Sequence, residues 1–312
     1  GFGQGISINM HAAASQVEWH GTDFNPSQVS YAQEIAHACG NGACLYDEAF
    51  AEFAARPNLP DFDYIGMHGI WSWVSDENRA VIVDFIRRKL KAGGVFYLSY
   101  NTLPGWAAFA PIRHLLVEHA EILGAEGQGI VDRINKSLEF TEGLLAVHPL
   151  VTNQLPTIAP RLAVLKSQNR NYLAHEYFNR DWQPMYFSDM AACLTAAKMG
   201  YGCSANLIDH IDGCNFTRAQ QDFLNGIDST VLREGVRDFM INQQFRRDYW
   251  VRGARKLHSV QQAEKLREEQ VVLQTVRDQV PMTLKGLVGE AAMSEEIYTP
   301  LLDLLADHQP HS

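Results

Sequence analysis

The first 55 of the 312 residues contain no lysine or arginine, yet carry Glu18, Asp23, Glu34, Asp47, Glu48 and Glu52. Such a surface suits a cationic ligand without phosphates better than a pyrophosphate, although backbone amides can hold phosphate without basic side chains. No apolar run approaches the length of a membrane span, so a soluble, cytoplasmic protein is expected. The five cysteines (Cys39, Cys44, Cys193, Cys203 and Cys214) form no CxxC pair. They read as reduced core or surface thiols, not as a disulfide frame or a zinc site. Basic charge is not in excess: the net charge is -10, which disfavours a dedicated nucleic-acid binder. Internal repeats, low-complexity tracts and a targeting segment are all lacking. What remains is ordinary globular composition, 46% apolar and 20% charged, in a chain long enough for more than one structural unit.

The organising stretch is Gly1-Phe2-Gly3-Gln4-Gly5. Glycines at alternate positions let the backbone turn sharply and approach a ligand that a Cβ would block. Ile6 to Ala14 turns helical, with Ile6, Met10 and Ala13/Ala14 spaced to bury one face. Val17 to Thr22 reads as a strand ending in Asp23, roughly 20 residues after the turn, where an acid can accept from ribose hydroxyls. Ile6 stands where a dinucleotide fingerprint wants its third glycine, so the spacing is the G-x-G-x-G typical of S-adenosylmethionine (SAM) sites. A glycine-rich turn without a ligand is the competing reading, and Asp23 in register weighs against it. The numbering opens on this turn, so a strand is expected to precede it in a longer chain of which these residues are a fragment.

Further along, Asn25-Pro26-Ser27 starts a helix with apolar face Val29, Ala32, Ile35 and Ala36, ended by Gly40. Ala43 to Tyr46 is a strand followed by Asp47-Glu48, which border the adenine in a SAM-type site or simply begin a solvated helix over Ala49 to Ala55. Phe62 to Met67 is a fourth strand running into His68-Gly69-Ile70-Trp71-Ser72-Trp73. Ser75-Asp76-Glu77 caps a helix that presents Val81, Phe85, Ile86 and Leu90 to the sheet and stops at Gly93-Gly94. Val95 to Ser99 is a fifth strand ending in Tyr100 and Asn101.

Strand–helix alternation with short connections predicts an α/β fold, a doubly wound, mostly parallel sheet. Residues 106–185 break the rhythm with stripes Ile112, Leu115, Leu116, His119, Ile122 and Ile130, Ile134, Leu138, Leu144, Leu145, plus a helix near Arg161 to Gln168. They form a helical insertion, a lid or dimerisation surface. From residue 186 the core resumes to about 253: a helix from Ser188-Asp189 through Met199 ended by Gly200, a strand over Tyr201 to Ile208, a long helix over Thr217 to Asn242, and an antiparallel strand over Phe245 to Val251. Residues 254–312 read as helices broken at Pro281 and Pro300.

The blocks Phe62-Asp63-Tyr64-Ile65, His68-Gly69-Ile70-Trp71-Ser72-Trp73-Val74 and Ser99-Tyr100-Asn101-Thr102-Leu103-Pro104-Gly105-Trp106 resemble bacterial class I SAM-dependent methyltransferases with a methyltransferase regulatory domain. Tyr172-Leu173-Ala174-His175-Glu176-Tyr177 through Phe245-Arg246-Arg247 resembles the regulatory domain itself, over about 172–252. The resemblance covers most of residues 1 to about 252. It implies a Rossmann-like core over 1–105 and 186–253, SAM as methyl donor and S-adenosylhomocysteine as product. Characterised relatives include protein lysine methyltransferases acting on rickettsial outer-membrane proteins. The Asn/Asp-Pro-Pro-Tyr block of adenine and glutamine amide methylators is lacking, which argues against those acceptors.

The candidate cofactor-binding set is Gly1, Gly3, Gly5, Asp23, Phe24, Asp47, Glu48, Met67 and His68. Tyr100 and Asn101 are candidate positioning groups, and His68 a proton acceptor or orienting group. Trp71, Trp73 and Trp106 are candidates to wall a channel whose ring faces attract a cationic acceptor, or they pack the insertion onto the sheet. His68 reads rather more readily as a hydrogen-bonded structural histidine, and Arg246, Arg247, Arg252, Arg255 and Lys256 as a solvated face or edge strand ahead of a substrate-docking patch. Three functions stay open: methyl transfer to a protein lysine, methyl transfer to a small molecule or RNA, and non-catalytic SAM binding by a regulatory protein.

Overall fold

The computed structural model describes residues 1–124 and 127–312. After Gly1–Gly5 come α1 (Ile6–Ala14), β1 (His20–Asp23), α2 (Pro26–Cys39), β2 (Cys44–Asp47), α3 (Phe50–Ala55), β3 (Phe62–Met67), a 3₁₀ turn (Trp71–Trp73), α4 (Asp76–Lys89) and β4 (Leu90–Asn101). The insertion holds α5 (Leu103–Trp106), α6 (Ala110–Ile122), α7 (Ile130–Ala146), α8 (Leu150–Gln154), α9 (Ile158–Ser167) and α10 (Arg170–Glu176). Then follow α11 (Phe187–Thr195), β5 (Met199–Ser204), α12 (Asp212–Asn215), α13 (Arg218–Asn225), α14 (Thr230–Met240) and β6 (Phe245–Arg252). The last stretch carries α15 (Ser259–Glu268), a hairpin of β7 (Thr283–Lys285) and β8 (Glu290–Ala292), and α16 (Glu295–Leu304).

The fold is α/β, and apart from the β7–β8 hairpin its strands form two sheets rather than one. β1 pairs in parallel with β2, while β3-β4-β6-β5 make a four-stranded sheet in which β3 and β4 are parallel and β6 runs antiparallel to both neighbours. Among the described residues no strand joins β1 to β3. One core lies on the four-stranded sheet, where Ile82 and Ile86 of α4 and Phe187, Met190 and Leu194 of α11 cover Phe96, Leu98, Tyr100 and Trp250. A second fills the insertion, around Phe109, Leu116, Ile134, Leu138, Leu162 and Leu165. A small third core, Ile8, Ala32 and Leu45, seats α1 and α2 on β1–β2.

Several boundaries differ from the sequence reading. β1 begins at His20 rather than Val17, whose side chain is exposed with nothing to pack on. α1 buries Ile8, Asn9 and Ala12, not Ile6 and Met10, because α2 approaches from that side; Asn9 Nδ2 donates to Gly5 O and Ala32 O at 2.9 and 3.0 Å. α4 stops at Lys89, not at Gly93-Gly94, and Leu90 already pairs with Phe62. The glycines lie inside β4, where Gly93 (φ 80) lets three extra residues loop out before Val95 pairs with Tyr64.

In the insertion, Ile122 and Ile130 lie exposed at the ends of their stripes. α11 ends at Thr195 because Lys198 (φ 60) makes the turn, which leaves Gly200 in β5, itself ending at Ser204. The long helix over 217–242 is two helices: Gly226 closes α13, and Ser229 caps α14 by accepting from Leu232 N. The C-terminal region is not purely helical, and Pro300 sits within α16 instead of breaking it.

Candidate ligand-binding site

The glycine turn lies at the carboxyl ends of the parallel strands, where open α/β sheets bind ligands. Gly3 and Gly5 have φ 56 and 70, a region that side-chain-bearing residues rarely adopt. A Cβ on Gly5 would overlap Ala32 of α2, and one on Gly1 would overlap Ile70 just beyond β3. The turn is therefore pressed between the α1–α2 pair and the end of β3. Asp23, the last residue of β1 and 6% exposed, ties it down: Gly3 N donates to Oδ2 at 2.8 Å and Asn25 N to Oδ1 at 3.0 Å. Each carboxylate oxygen keeps a lone pair for a further donor.

Phe24 follows as a 76% exposed aromatic ring, and Asp47 lies level with Asp23 across the strand pair, open to solvent. Glu48 is held to the protein: its carboxylate pairs with Arg56, its amide donates to Asp23 O at 3.1 Å, and Thr22 Oγ1 donates to its carbonyl. The fit to SAM rests on this cradle, which is closed to side chains at Gly1 and Gly5, has a carboxylate for ribose hydroxyls, and presents an exposed ring for the adenine.

Met67 is buried at the end of β3, and His68 is the next residue. His68 Nδ1 meets Tyr97 Oη at 2.8 Å, with the rings stacked at 5°. Burial, assisted by Arg247, lowers its pKa and favours the neutral imidazole. Gly69 N donates to Ser99 Oγ at 2.7 Å, and Asn101 N to Ser72 Oγ at 2.8 Å, stitching the segment after β3 to β4. Asn101 is 4% exposed and its side-chain Nδ2 has no partner. Sequence reading missed Tyr97 and Ser99. The strand period puts both on the face of Asn101, and that alternation was the available signal.

Tyr100 points to the opposite face of β4 and is fully buried, its hydroxyl donating to Asp248 Oδ2 at 3.2 Å. There Arg246, read from sequence as part of a solvated face, is 6% exposed and central to an ionic cluster. Its guanidinium meets Glu234, Asp238 and Asp248 at 2.7–2.8 Å. Arg237 reaches Glu234 from the other side at 3.8 Å but is shared with Asp212 at 2.7 Å, so carboxylates still outnumber cations in the cluster. Burial raises the Asp238 pKa to about 6 despite Arg246, and moves Asp248 the same way.

The three tryptophans do not wall a common passage. Trp71 is wholly buried in the sheet core with Nε1 on Met185 Sδ at 3.1 Å. Trp106 lies in the insertion core, edge-on to Trp182 and under Arg161 at 4.1 Å. Trp73, half-buried, donates from Nε1 to Glu176 O at 3.3 Å and joins the two.

Comparison with known proteins agrees with this architecture. Residues 169–252 match the model of a predicted methyltransferase regulatory domain. The chain is 39% identical over 305 residues to the uncharacterized protein sll1526 of Synechocystis, covering 97% of this chain and 60% of that protein. It is 29% identical over 188 residues to the uncharacterized protein RP789 of Rickettsia prowazekii, covering 59% of this chain and 33% of that one. The chain thus spans less than two thirds of the length of either relative. Among solved structures, PKMT2 from Rickettsia typhi superposes with TM-score 0.69 at 18% identity, over 98% of this chain and 60% of that one. The same protein in complex with AdoHcy gives 0.66 at 20% identity, over 83% and 49%. No helix among the described residues is long and apolar enough to cross a membrane. The chain thus shares the fold of the PKMT2 structures, and its residues 169–252 match the model of a predicted methyltransferase regulatory domain.

Proposed function

We propose that this chain binds SAM at the Gly1–Gly5 turn and transfers its methyl group to the amine of a protein lysine, leaving S-adenosylhomocysteine. The observation that carries the reading is the bond from Gly3 N to Asp23 Oδ2 at 2.8 Å, which makes turn and acid one unit across 20 residues of chain. The resemblance of the HGIWSWV and SYNTLPGW blocks to protein lysine methyltransferases supports the acceptor class. Both parallel strand pairs carry site residues at their carboxyl ends, which supports a single doubly wound core.

Bound SAM supplies an already activated methyl group, so the protein's part is alignment, desolvation and removal of a proton. Asp23 would hold the ribose hydroxyls, Phe24 would lie against the adenine, and Asp47 and Glu48 would border it. An amine attacks only when neutral. His68, whose pKa is lowered by partial desolvation and by Arg247 and which is oriented through Nδ1 by Tyr97, offers Nε2 as the proton acceptor. Asn101, with an unpartnered amide nitrogen at the end of β4, positions the acceptor. Tyr100 acts from behind the strand, holding Asp248. The working protein is cytoplasmic in this reading and dimerises through the insertion, whose Ile122, Leu123, Val147 and Leu150 are 64–78% exposed.

Titration calorimetry with SAM and S-adenosylhomocysteine tests the proposal. Binding is expected to weaken at least tenfold in Asp23→Ala, and labelled SAM is expected to mark lysine in acceptor protein. A folded chain that binds neither ligand would sink the reading.

A further inference from the structure

A second cluster of functional side chains lies at the opposite, amino end of the strand pair that carries Asp23 and Asp47. His20 opens β1, Cys44 opens β2, and the parallel register sets these two residues side by side. Glu18 stands two residues before His20, and residues two apart along an extended chain share a face. A carboxylate oxygen, an imidazole nitrogen and a thiol sulfur are thereby gathered within 4.8 Å of one another. In sequence the thiol is 24 residues from the imidazole, and no metal-binding spacing reveals the set.

We infer that Glu18, His20 and Cys44 form a binding site for a zinc-class divalent cation. The donor set is the mixed O, N and S set that zinc accepts, with water completing a tetrahedron. Tetrahedral bonds of about 2.0–2.3 Å put donors roughly 3.3–3.6 Å apart. His20 Nε2 and Glu18 Oε1 are now 2.8 Å apart, and the Glu18 side chain, 69% exposed, is free to rotate into place.

The surroundings suit the role. The His20 side chain is 6% exposed and its ring is fixed by stacking on Tyr46 and by the edge of Phe62. Tyr46 Oη lies 3.5 Å from Nδ1, the kind of outer partner that orients a metal-binding imidazole. Cys44 is half-buried, and its sulfur makes a long 3.9 Å contact to Gly42 O and lies beside the Tyr46 hydroxyl. The open side at Glu18 is the entry path. On binding, the thiol proton leaves to solvent and the thiolate takes its place on the cation. Asp23 lies three residues along β1, about 10 Å away at 3.3 Å per residue. The cation would brace the amino end of the strand pair and take no part in the ligand site.

Cobalt(II), titrated into the reduced chain under anaerobic conditions, is the probe. One equivalent is expected to bind with a near-ultraviolet thiolate-to-cobalt band that zinc abolishes on displacing it. Cys44→Ser should lose the band, Glu18→Gln should weaken binding at least tenfold, and Cys39→Ser should leave both unchanged. A folded protein that gives no band at saturating cobalt, or a band that survives Cys44→Ser or vanishes in Cys39→Ser, would overturn the assignment.

Discussion

Arg246, 6% exposed, holds three carboxylates within 2.8 Å. Removing the cation at the centre of such a cluster costs about 3–5 kcal/mol, because the carboxylates left behind stay buried and lose their partner. Arg246→Met is therefore expected to lower the urea midpoint sharply. Asp238 gives a pH signature of opposite character. Its pKa rises from 3.8 to about 6, so the folded chain binds a proton that the unfolded chain has released. That contribution is fully present below about pH 4 and is lost as pH rises through about 6. It amounts to about 3 kcal/mol at 1.36 kcal/mol per pH unit. Asp238→Asn should be more stable than the parent at pH 7.5 and lose this advantage at pH 4.5, measured by urea unfolding at both. Equal differences at the two pH values would show that Asp238 is ionised throughout.

Among the elements, the glycine turn and α1 act together. Gly5 combines φ 70 with contact to Ala32, so Gly5→Ala adds backbone strain and a clash at the α1–α2 interface. A loss of about 1–3 kcal/mol is expected, with weaker SAM binding in calorimetry. Gly3 has a similar φ but open space around it, so Gly3→Ala should cost less stability than Gly5→Ala. Trp71→Ala empties the sheet core and is expected to cost about 3–5 kcal/mol by urea unfolding. A Trp71 that served only to line a surface would cost far less.

For the molecule as a whole, the insertion leaves Ile122, Leu123, Val147 and Leu150 exposed. Ile122 and Leu123 lie at the end of α6 and Val147 and Leu150 beyond the end of α7, so the proposed dimer would use both ends of this helix pair. If the proposed dimer uses this surface, Leu150→Glu with Val147→Glu shifts the sedimentation coefficient to that of the monomer and leaves the unfolding midpoint unchanged. A parent chain that sediments as a monomer at high micromolar concentration would remove the dimer from the proposal.

Local pattern was enough for β3 and for most of β2 and β6, for the Asn25 and Ser75 caps, and for the glycine turn with Asp23 at the end of its strand. Each of these depends on residues close in sequence: side-chain periodicity, a capping oxygen, and a φ that only glycine adopts freely. The α/β class was legible for the same reason, since alternation of elements is itself a local property. The tertiary structure decided everything that needed a partner from elsewhere. It turned Arg246 from an apparent surface charge into a buried one, and Trp71 and Trp106 into core. It drew Gly93-Gly94 into a strand and split one apparent helix at Gly226. It also brought Cys44 to His20. Burial and register are long-range quantities: whether a side chain is wet, and which residue lies beside it on the next strand, is set by chain segments that the local sequence does not contain.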